Sequence, residues 1–145
     1  MDYKEIKIVL VEDDFVDVLA TKKALQELRI QNPIFEARDG LEALDFLRGD
    51  NGVEKIDPPY IILLDLNMPR MGGLEFLETI RADSELKSSI IFVMTTSEAE
   101  TDVFAAYEQN IAGYIVKTNT KHSFIDAIGM LKHYWTIVEM PTSQS

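Results

Sequence analysis

The sequence predicts an α/β domain in which a single parallel sheet lies between two layers of helices. Short apolar runs alternate with stretches of helical periodicity five times along the chain, and this alternation is typical of parallel sheets with helical crossovers. Two of the runs, 61–64 and 90–94, consist entirely of large apolar residues, which indicates strands buried on both faces. We find no internal repeat, low-complexity segment or second domain in the 145 residues.

The first half of the chain supplies two strand–helix units and leads into a third strand. β-Branched residues dominate the first strand, and the first helix carries its apolar residues on one face, with Asp14 placed to cap its start. Asp39 and Gly40 open the second helix, and a polar loop over 49–59 follows it. The elements predicted in this half are strands at 6–11, 34–37 and 61–64 and helices at 15–29 and 41–48.

The second half repeats the alternation and ends in a longer helix. Apolar residues recur at helical spacing after each strand, which predicts helices with one buried face. The fourth helix is predicted to bury Ala99, Val103, Ala106 and Tyr107. The elements predicted in this half are strands at 90–94 and 113–116 and helices at 74–82, 98–110 and 121–134. We expect residues 1–135 to form one domain and 136–145 a C-terminal tail, with no separate output domain.

The composition argues against several classes of function. Aspartate and glutamate number 25 against 14 lysines and arginines, and the net charge of −11 opposes binding to nucleic acid. The chain has no cysteine, so neither a disulfide nor a thiolate metal site can form. No apolar run approaches the roughly 18 residues of a membrane span, and the N-terminus lacks the apolar core of a signal peptide. We therefore expect a cytoplasmic protein that binds neither nucleic acid nor membrane.

Polar side chains follow four of the five predicted strands at the point where each strand ends. They are Glu12 and Asp13 after the first strand, Asp65 after the third, Thr95 after the fourth and Lys117 after the fifth. Because the carboxyl ends of parallel strands meet at one edge of a sheet, we expect these side chains to lie close together. Clustered carboxylates repel unless a hard cation such as Mg²⁺ lies among them. Lysine and threonine side chains can hold phosphate oxygens, so the sequence indicates phosphoryl transfer to a carboxylate.

Each of these residues also has an ordinary structural role when it is taken alone. Glu12 or Asp13 can cap a helix, Asp65 can start a turn, and Lys117 can be a surface charge. The coincidence of the five residues at one predicted edge of the sheet favours the chemical interpretation over the structural one.

The chain resembles the receiver domains of two-component response regulators from Ile6 to about Tyr134. The matching features are Glu12-Asp13, the run Leu-Leu-Asp-Leu-Asn-Met-Pro around Asp65, Gly72-Gly73, Thr95, and the segment from Gly113-Tyr114 to Lys117. The resemblance implies the flavodoxin-like (βα)5 three-layer sandwich of the chemotaxis regulators. In that fold a five-stranded parallel sheet has the order 2-1-3-4-5.

The resemblance also implies the roles of the acidic residues. Asp65 would be the nucleophile that takes a phosphoryl group from the phosphohistidine of a histidine kinase. Asp13, Asp65 and the backbone carbonyl of Asn67 would ligate Mg²⁺, with Glu12 acting through water. The chain would then be a signalling protein and not an enzyme, since it would catalyse only its own phosphorylation and dephosphorylation.

Three further residues are matched to the response that follows phosphorylation. Lys117 would pair with the phosphoryl group, Thr95 would swing towards it, and Tyr114 would be the switch aromatic that turns inward. An acyl phosphate adds about one and a half to two negative charges. Whichever loop conformation offers Thr95 as a hydrogen-bond donor therefore gains free energy, and the population shifts towards it.

A narrower likeness concerns the small single-domain regulators that partner phytochrome-type histidine kinases. It is carried by the long loop before the third strand, Thr95-Thr96-Ser97, a non-proline residue after Lys117, and the tail 134–141. Most receivers have proline after the lysine, often in a cis peptide, so Thr118 leaves the geometry of the Lys117–Thr118 peptide open. The expected partner is a sensor histidine kinase, which the narrower likeness implies to be of the phytochrome type, or a phosphotransfer protein.

An apolar strip continues beyond the last predicted helix. It consists of Trp135, Ile137, Val138 and Met140. Either this strip covers the protein's own surface, or it joins the last helix in a symmetric homodimer, as the phytochrome-partner regulators would imply. We favour the homodimer.

Three alternative functions share part of this pattern. A Mg²⁺-dependent phosphatase that works through an aspartyl phosphate requires an acid two residues after the nucleophile, where this chain has Asn67. A flavin-binding flavodoxin shares the fold, but without a metal the acids would repel its cofactor phosphate. A degenerate receiver that never takes phosphate is the third alternative, although none of the required residues is missing.

Overall fold

Five parallel strands form one sheet in the order β2-β1-β3-β4-β5, and a helix follows each strand. The computed structural model describes residues 5–117 and 121–141. The strands are β1 (Lys7–Val11), β2 (Ile34–Ala37), β3 (Tyr60–Leu64), β4 (Ile90–Thr95) and β5 (Gly113–Val116). The helices are α1 (Phe15–Glu27), α2 (Gly40–Arg48), α3 (Gly73–Ala82), α4 (Glu100–Glu108) and α5 (Lys121–Ile137). The predicted fold class and strand order are both confirmed.

The two faces of the sheet belong to two separate apolar cores, because side chains alternate between faces along each strand. Ile62 and Leu64 of β3 point to the face that α2, α3 and α4 cover. Ile61 and Leu63 point to the opposite face, which α1 and α5 cover. Every residue of β3 is buried, so the central strand is held on both sides and on both edges.

Strand register brings the ends of the central strands together. Val11 of β1 lies opposite Leu64 of β3, so the next residues, Glu12 and Asp65, leave the sheet side by side. Thr95 is the last residue of β4 and lies opposite Val116 of β5. The prediction that Thr95 follows its strand is therefore wrong by one residue, because its backbone still pairs with β5.

Arg81, near the end of α3, joins two loops at the end of the sheet remote from Asp65. Its guanidinium donates hydrogen bonds to the carbonyl oxygens of Lys87 at 2.7 Å and Ser89 at 2.8 Å, which precede β4. It also donates to the carbonyls of Gln109 at 2.6 Å and Asn110 at 3.0 Å, which precede β5. The planar guanidinium suits this role, since it presents five N–H donors in a fixed geometry, whereas a lysine has three donors on one rotatable atom.

Helix α4 differs most from the prediction. It begins at Glu100 and has one fully buried residue, Ala106. Ala99 lies at the N-cap position and is exposed, and the side chain of Tyr107 is 50 % exposed. The predicted burial of Ala99 and Tyr107 is wrong, and Val103 is only partly buried. The helix starts later than expected, and Ala106 is its one fully buried residue.

Helix α5 extends three residues further than predicted, to Ile137, and the apolar strip is divided. Trp135 and Met140 pack against the core between α1, α5 and the sheet. Ile137 and Val138 are exposed, Ile137 by 80 %. Half of the strip therefore packs against the protein's own core, and the other half is exposed. Within the described ranges, no helix is long and apolar enough to cross a membrane.

Candidate functional site

Three carboxylates meet at the carboxyl edge of the sheet. One oxygen from each of Glu12, Asp13 and Asp65 lies within 4.8 Å of the other two. The backbone fixes two of them, because Glu12 N–H donates to the Ala37 carbonyl at 2.9 Å and Asp65 N–H donates to the Val11 carbonyl at 3.0 Å. Glu12 is buried, the Asp65 side chain is 11 % exposed, and Asp13 is exposed. The cluster is therefore rigid on one side and open to solvent on the other.

Backbone contacts of the turn after β3 fix the position of Asp65. The Asn67 N–H donates to Asp65 Oδ1 at 3.3 Å, and the Gly73 N–H donates to the Leu66 carbonyl at 3.0 Å. A Cβ atom at residue 73 would lie 2.6 Å from the Asp65 carbonyl oxygen and 2.6 Å from Leu66 Cα. The start of α3 can approach the Asp65 backbone this closely only because residue 73 is glycine.

Lys117 faces the carboxylates from the end of β5. Its Nζ donates to Glu12 Oε1 and, at 3.0 Å, to Asp17 Oδ2, and it lies 3.8 Å from Asp65 Oδ2. Its backbone N–H donates to the Thr95 carbonyl at 2.7 Å. The side chain is only 10 % exposed, so its ion pairs are little screened by solvent. The contact with Asp17 was not predicted from the sequence.

Burial and neighbouring charges shift the pKa values of Glu12 and Lys117. Burial, together with a hydrogen bond to Asp65, raises the pKa of Glu12 to about 8, although Lys117 acts in the opposite direction. Burial alone would lower the pKa of Lys117, but its bonds to Glu12 and Asp17 outweigh burial and raise it. Such crowding of buried carboxylates suits a divalent cation, which favours their charged forms and accepts oxygen ligands.

Ser97 links two of the predicted residues, Thr95 and Tyr114. The Thr95 side chain is fully buried, and its hydroxyl oxygen accepts a long hydrogen bond of 3.5 Å from the Ser97 N–H. The half-buried Tyr114 donates its hydroxyl proton to the Ser97 carbonyl at 2.9 Å. The Ser97 hydroxyl in turn donates to Asp102 Oδ2 at 2.6 Å, at the start of α4. Sequence reasoning noted Ser97 only as part of a triplet and missed this connection.

An ion pair between the buried Asp39 and the exposed Arg70 connects the turn after β3 to the start of α2. Asp39 caps α2 by accepting from the Glu42 N–H at 2.9 Å, and its second oxygen accepts from Arg70 Nε at 2.5 Å. Burial opposes ionisation, yet the bonds from Arg70 and the backbone outweigh it and lower the pKa of Asp39. The Gly40 N–H donates to the Met71 carbonyl at 3.3 Å. The sequence identified Asp39 and Gly40 as a helix start but not as an anchor for the Asn67 turn.

The structure thus places every predicted site residue, although not all in one cluster. Glu12, Asp13, Asp65 and Lys117 lie together. Asn67 is exposed next to Asp65. Thr95 and Tyr114 are joined through Ser97. The Lys117–Thr118 peptide lies outside the described residues.

Comparison with known proteins identifies the family to which this fold and this acidic cluster belong. The chain belongs to the response regulator receiver domain family, whose model matches residues 8–129. The resemblance found in the sequence is therefore confirmed.

Particular relatives narrow the family further. The curated protein Response regulator Rcp1 of Synechocystis is 34 % identical over 128 residues, which cover 88 % of this chain and 87 % of Rcp1. The crystal structure of the phosphorylated cyanobacterial phytochrome response regulator RcpA has a TM-score of 0.86 and 31 % identity and covers 95 % of this chain and 99 % of RcpA. The Mn²⁺-bound form of Rcp1 has a TM-score of 0.84 and 33 % identity and covers 94 % of this chain and 99 % of that structure. The likeness to phytochrome response regulators is confirmed.

Proposed function

We propose that this response regulator accepts a phosphoryl group on Asp65 from the phosphohistidine of a sensor histidine kinase, in the presence of Mg²⁺. The observation that carries the proposal is the arrangement around Asp65. Its carboxylate lies among two further acids, with the Lys117 ammonium 3.8 Å from Oδ2. Aspartyl-phosphate phosphatases require an acid two residues after the nucleophile, and this chain has Asn67 there. This difference argues against that class of enzyme.

Asp65 is positioned to act as a nucleophile. One of its carboxylate oxygens attacks phosphorus, the bond from phosphorus to the histidine nitrogen breaks, and the nitrogen keeps the electron pair. Asn67 and Gly73 hold the Asp65 segment still through backbone contacts, which favours attack from a fixed geometry. The Lys117 ammonium is close enough to shift onto a phosphoryl oxygen and stabilise the charge on it.

The acidic cluster fits a divalent cation. Asp13, Asp65 and the Asn67 carbonyl would hold it, and Glu12 would act through water. When bound, the cation neutralises charge on the phosphoryl oxygens. A relative of 33 % identity, Rcp1, has been crystallised in a Mn²⁺-bound form, which supports a divalent cation here. Mg²⁺ is the proposed ion because it suits a site with few carboxylates and a phosphate oxygen.

Thr95, Ser97 and Tyr114 form the proposed switch. Ser97 is bonded at its N–H to the Thr95 hydroxyl oxygen and at its carbonyl to the Tyr114 hydroxyl. If Thr95 turns to donate to a phosphoryl oxygen, its long 3.5 Å bond to Ser97 is the weakest link to break. Movement of this loop then changes the partner of Tyr114 and the start of α4, where Asp102 is bonded to Ser97.

A phosphorylation assay tests the proposal. Acetyl phosphate, a small donor, with Mg²⁺ is expected to add the mass of one phosphoryl group to the intact protein. A chelator added before the donor is expected to prevent the gain, because the crowded carboxylates then repel the donor phosphate. Intact-protein mass spectrometry measures both results. The absence of any gain with Mg²⁺ would contradict the proposed function.

We also propose that the response regulator forms a symmetric homodimer through the α5 patch, defined as Met130, Ile137 and Val138. These three apolar side chains are exposed. Met130 and Ile137 are seven residues apart and so lie on one side of α5, and Val138 comes directly after the end of the helix. Ile137 and Val138 are what remains of the predicted strip once Trp135 and Met140 are packed against the core, and the exposed Met130 was not part of that strip. A two-fold axis would pair the patch with itself.

Ile137→Asp is expected to convert the dimer to a monomer, because a charge would be buried at the contact. Sedimentation of the intact chain measures the mass. Removing the tail is a poorer test, since Met140 belongs to the core. The control is Leu41→Asp, which introduces the same charge at an apolar residue of α2 that is 42 % exposed. A monomeric wild-type protein, or equal effects of the two substitutions, would contradict the dimer.

A further inference from the structure

Asp17 lies beside the Lys117 ammonium and plays no part in the mechanism above. It belongs to the first turn of α1, and its Oδ2 accepts a hydrogen bond of 3.0 Å from Lys117 Nζ. We propose that Asp17 is a positioning residue for phosphoryl transfer, which holds Lys117 back from Asp65 and turns a free N–H towards the phosphoryl site. This inference rests on the proposed role of Asp65 as phosphoacceptor.

The geometry of the lysine ammonium supports the proposal. An ammonium group has three donors and no acceptor. In the described part of the chain, Nζ donates one hydrogen bond to Glu12 and one to Asp17. The distance of 3.8 Å from Nζ to Asp65 Oδ2 is too long for a hydrogen bond. Two donors therefore fix the orientation of the group, and the third is left for an oxygen of the incoming phosphoryl group.

Asp17 is itself held in place. The Asp14 side chain caps α1 and accepts from the Asp17 N–H at 3.3 Å, and the Asp17 carbonyl accepts from the Thr21 hydroxyl at 2.9 Å. The Asp17 side chain is 36 % exposed, whereas that of Glu12 is almost fully buried. The lysine is therefore held between a buried anchor on the sheet and a more exposed anchor on α1.

Loss of Asp17 changes what Lys117 pairs with. Glu12 alone does not fix the ammonium in two directions, and the Asp65 carboxylate is the nearest remaining anion at 3.8 Å. A direct ion pair would occupy Asp65 Oδ2 and rotate the ammonium out of the orientation in which its third N–H faces the phosphoryl site. In transfer from acetyl phosphate, an Asp65 oxygen bonds to phosphorus, the bond from phosphorus to the acyl oxygen breaks, and acetate leaves with the electron pair. The competing ion pair slows this step.

Asp17→Asn and Asp17→Ala test the inference in the full-length protein with acetyl phosphate and Mg²⁺. The maximal rate of phosphorylation is expected to fall by roughly three- to tenfold, the contribution of a charged hydrogen bond that solvent partly screens. The donor concentration for half-maximal rate is expected to stay the same, because Asp17 does not touch the donor. Glu75→Gln is the control, since it removes an exposed acid from the first turn of α3, and Glu75 is not among the acids paired with Lys117 in the described part of the chain.

The NMR signal of the Lys117 ammonium group gives a second readout that needs no phosphorylation. We expect both Asp17 variants to shift it and Glu75→Gln to leave it in place. Absence of phosphorylation in the wild-type protein would defeat the proposed function, while the ammonium signal would still report whether Asp17 anchors the lysine. Wild-type maximal rates in both Asp17 variants, or a drop in Glu75→Gln as large as theirs, would overturn the inference.

Discussion

Asp65→Asn is expected to abolish phosphorylation of the response regulator by acetyl phosphate. The amide has nearly the same shape as the carboxylate, but its oxygen is a poor nucleophile and it carries no charge for a cation. Intact-protein mass spectrometry would show no phosphoryl gain at any donor concentration. Peptide mapping of the wild-type protein would place the phosphoryl group on the peptide that contains Asp65.

The loss in Asp65→Asn is expected to be chemical and not structural. Removing one charge relieves repulsion with Glu12 and Asp13, and it forgoes only a 3.8 Å ion pair with Lys117. The free energy of unfolding should therefore change by about 1 kcal/mol or less. Asp50→Asn, an equal substitution at an exposed acid in the loop after α2, should leave phosphorylation intact. An equal mass gain in Asp65→Asn and the wild-type protein would refute the assignment.

Gly73→Ala is expected to lower the free energy of unfolding by about 2 to 3 kcal/mol, and the thermal midpoint by roughly 6 to 10 °C. The new Cβ would lie 2.6 Å from both the Asp65 carbonyl oxygen and Leu66 Cα. Both are backbone atoms, so the strain moves the chain and cannot be relieved by a side-chain rotation. Because the displaced segment carries Asp65, the phosphorylation rate should fall as well, even at temperatures where the variant is fully folded.

Gly129→Ala is the matched control for Gly73→Ala. Gly129 lies inside α5, and a Cβ there would meet only Leu28 side-chain atoms, the nearest at 3.9 Å. Alanine favours helix by about 0.5 to 1 kcal/mol over glycine, so this variant should be slightly more stable and should be phosphorylated at the wild-type rate. Thermal unfolding and the mass assay measure the pair. A Gly73→Ala protein with wild-type stability and rate would show that the turn after β3 does not hold Asp65.

Much of the site was predictable because strand ends are local signals. The buried run 61–64 stops at a carboxylate, and parallel pairing alone brings Asp65 to the edge that Glu12 and Lys117 share. The order of the strands and the family followed from the same pattern together with the resemblance to receivers. The end of a strand depends on backbone pairing, which the residue types do not show. Thr95 was therefore predicted to follow β4, whereas it is the last residue of that strand.

Contacts between distant helices and loops were not predictable in this way. Asp17 and Lys117 are 100 positions apart, and the four carbonyls bound by Arg81 come from two separate loops. A helical pattern shows which residues share a face, but not how deeply that face is buried. Tyr107 on α4 was for this reason expected to be buried and is half exposed.

The amino-acid sequence by itself determined the alternation of strands and helices, the acids and the lysine at the carboxyl edge, and the absence of thiol chemistry. These follow from residue type and local periodicity. Only the tertiary structure decided that Gly73 must lack a side chain, that Asp17 anchors Lys117, and that Met140 joins the core while Ile137 does not. The physical reason is that these properties depend on distances between segments that only the packed chain brings together.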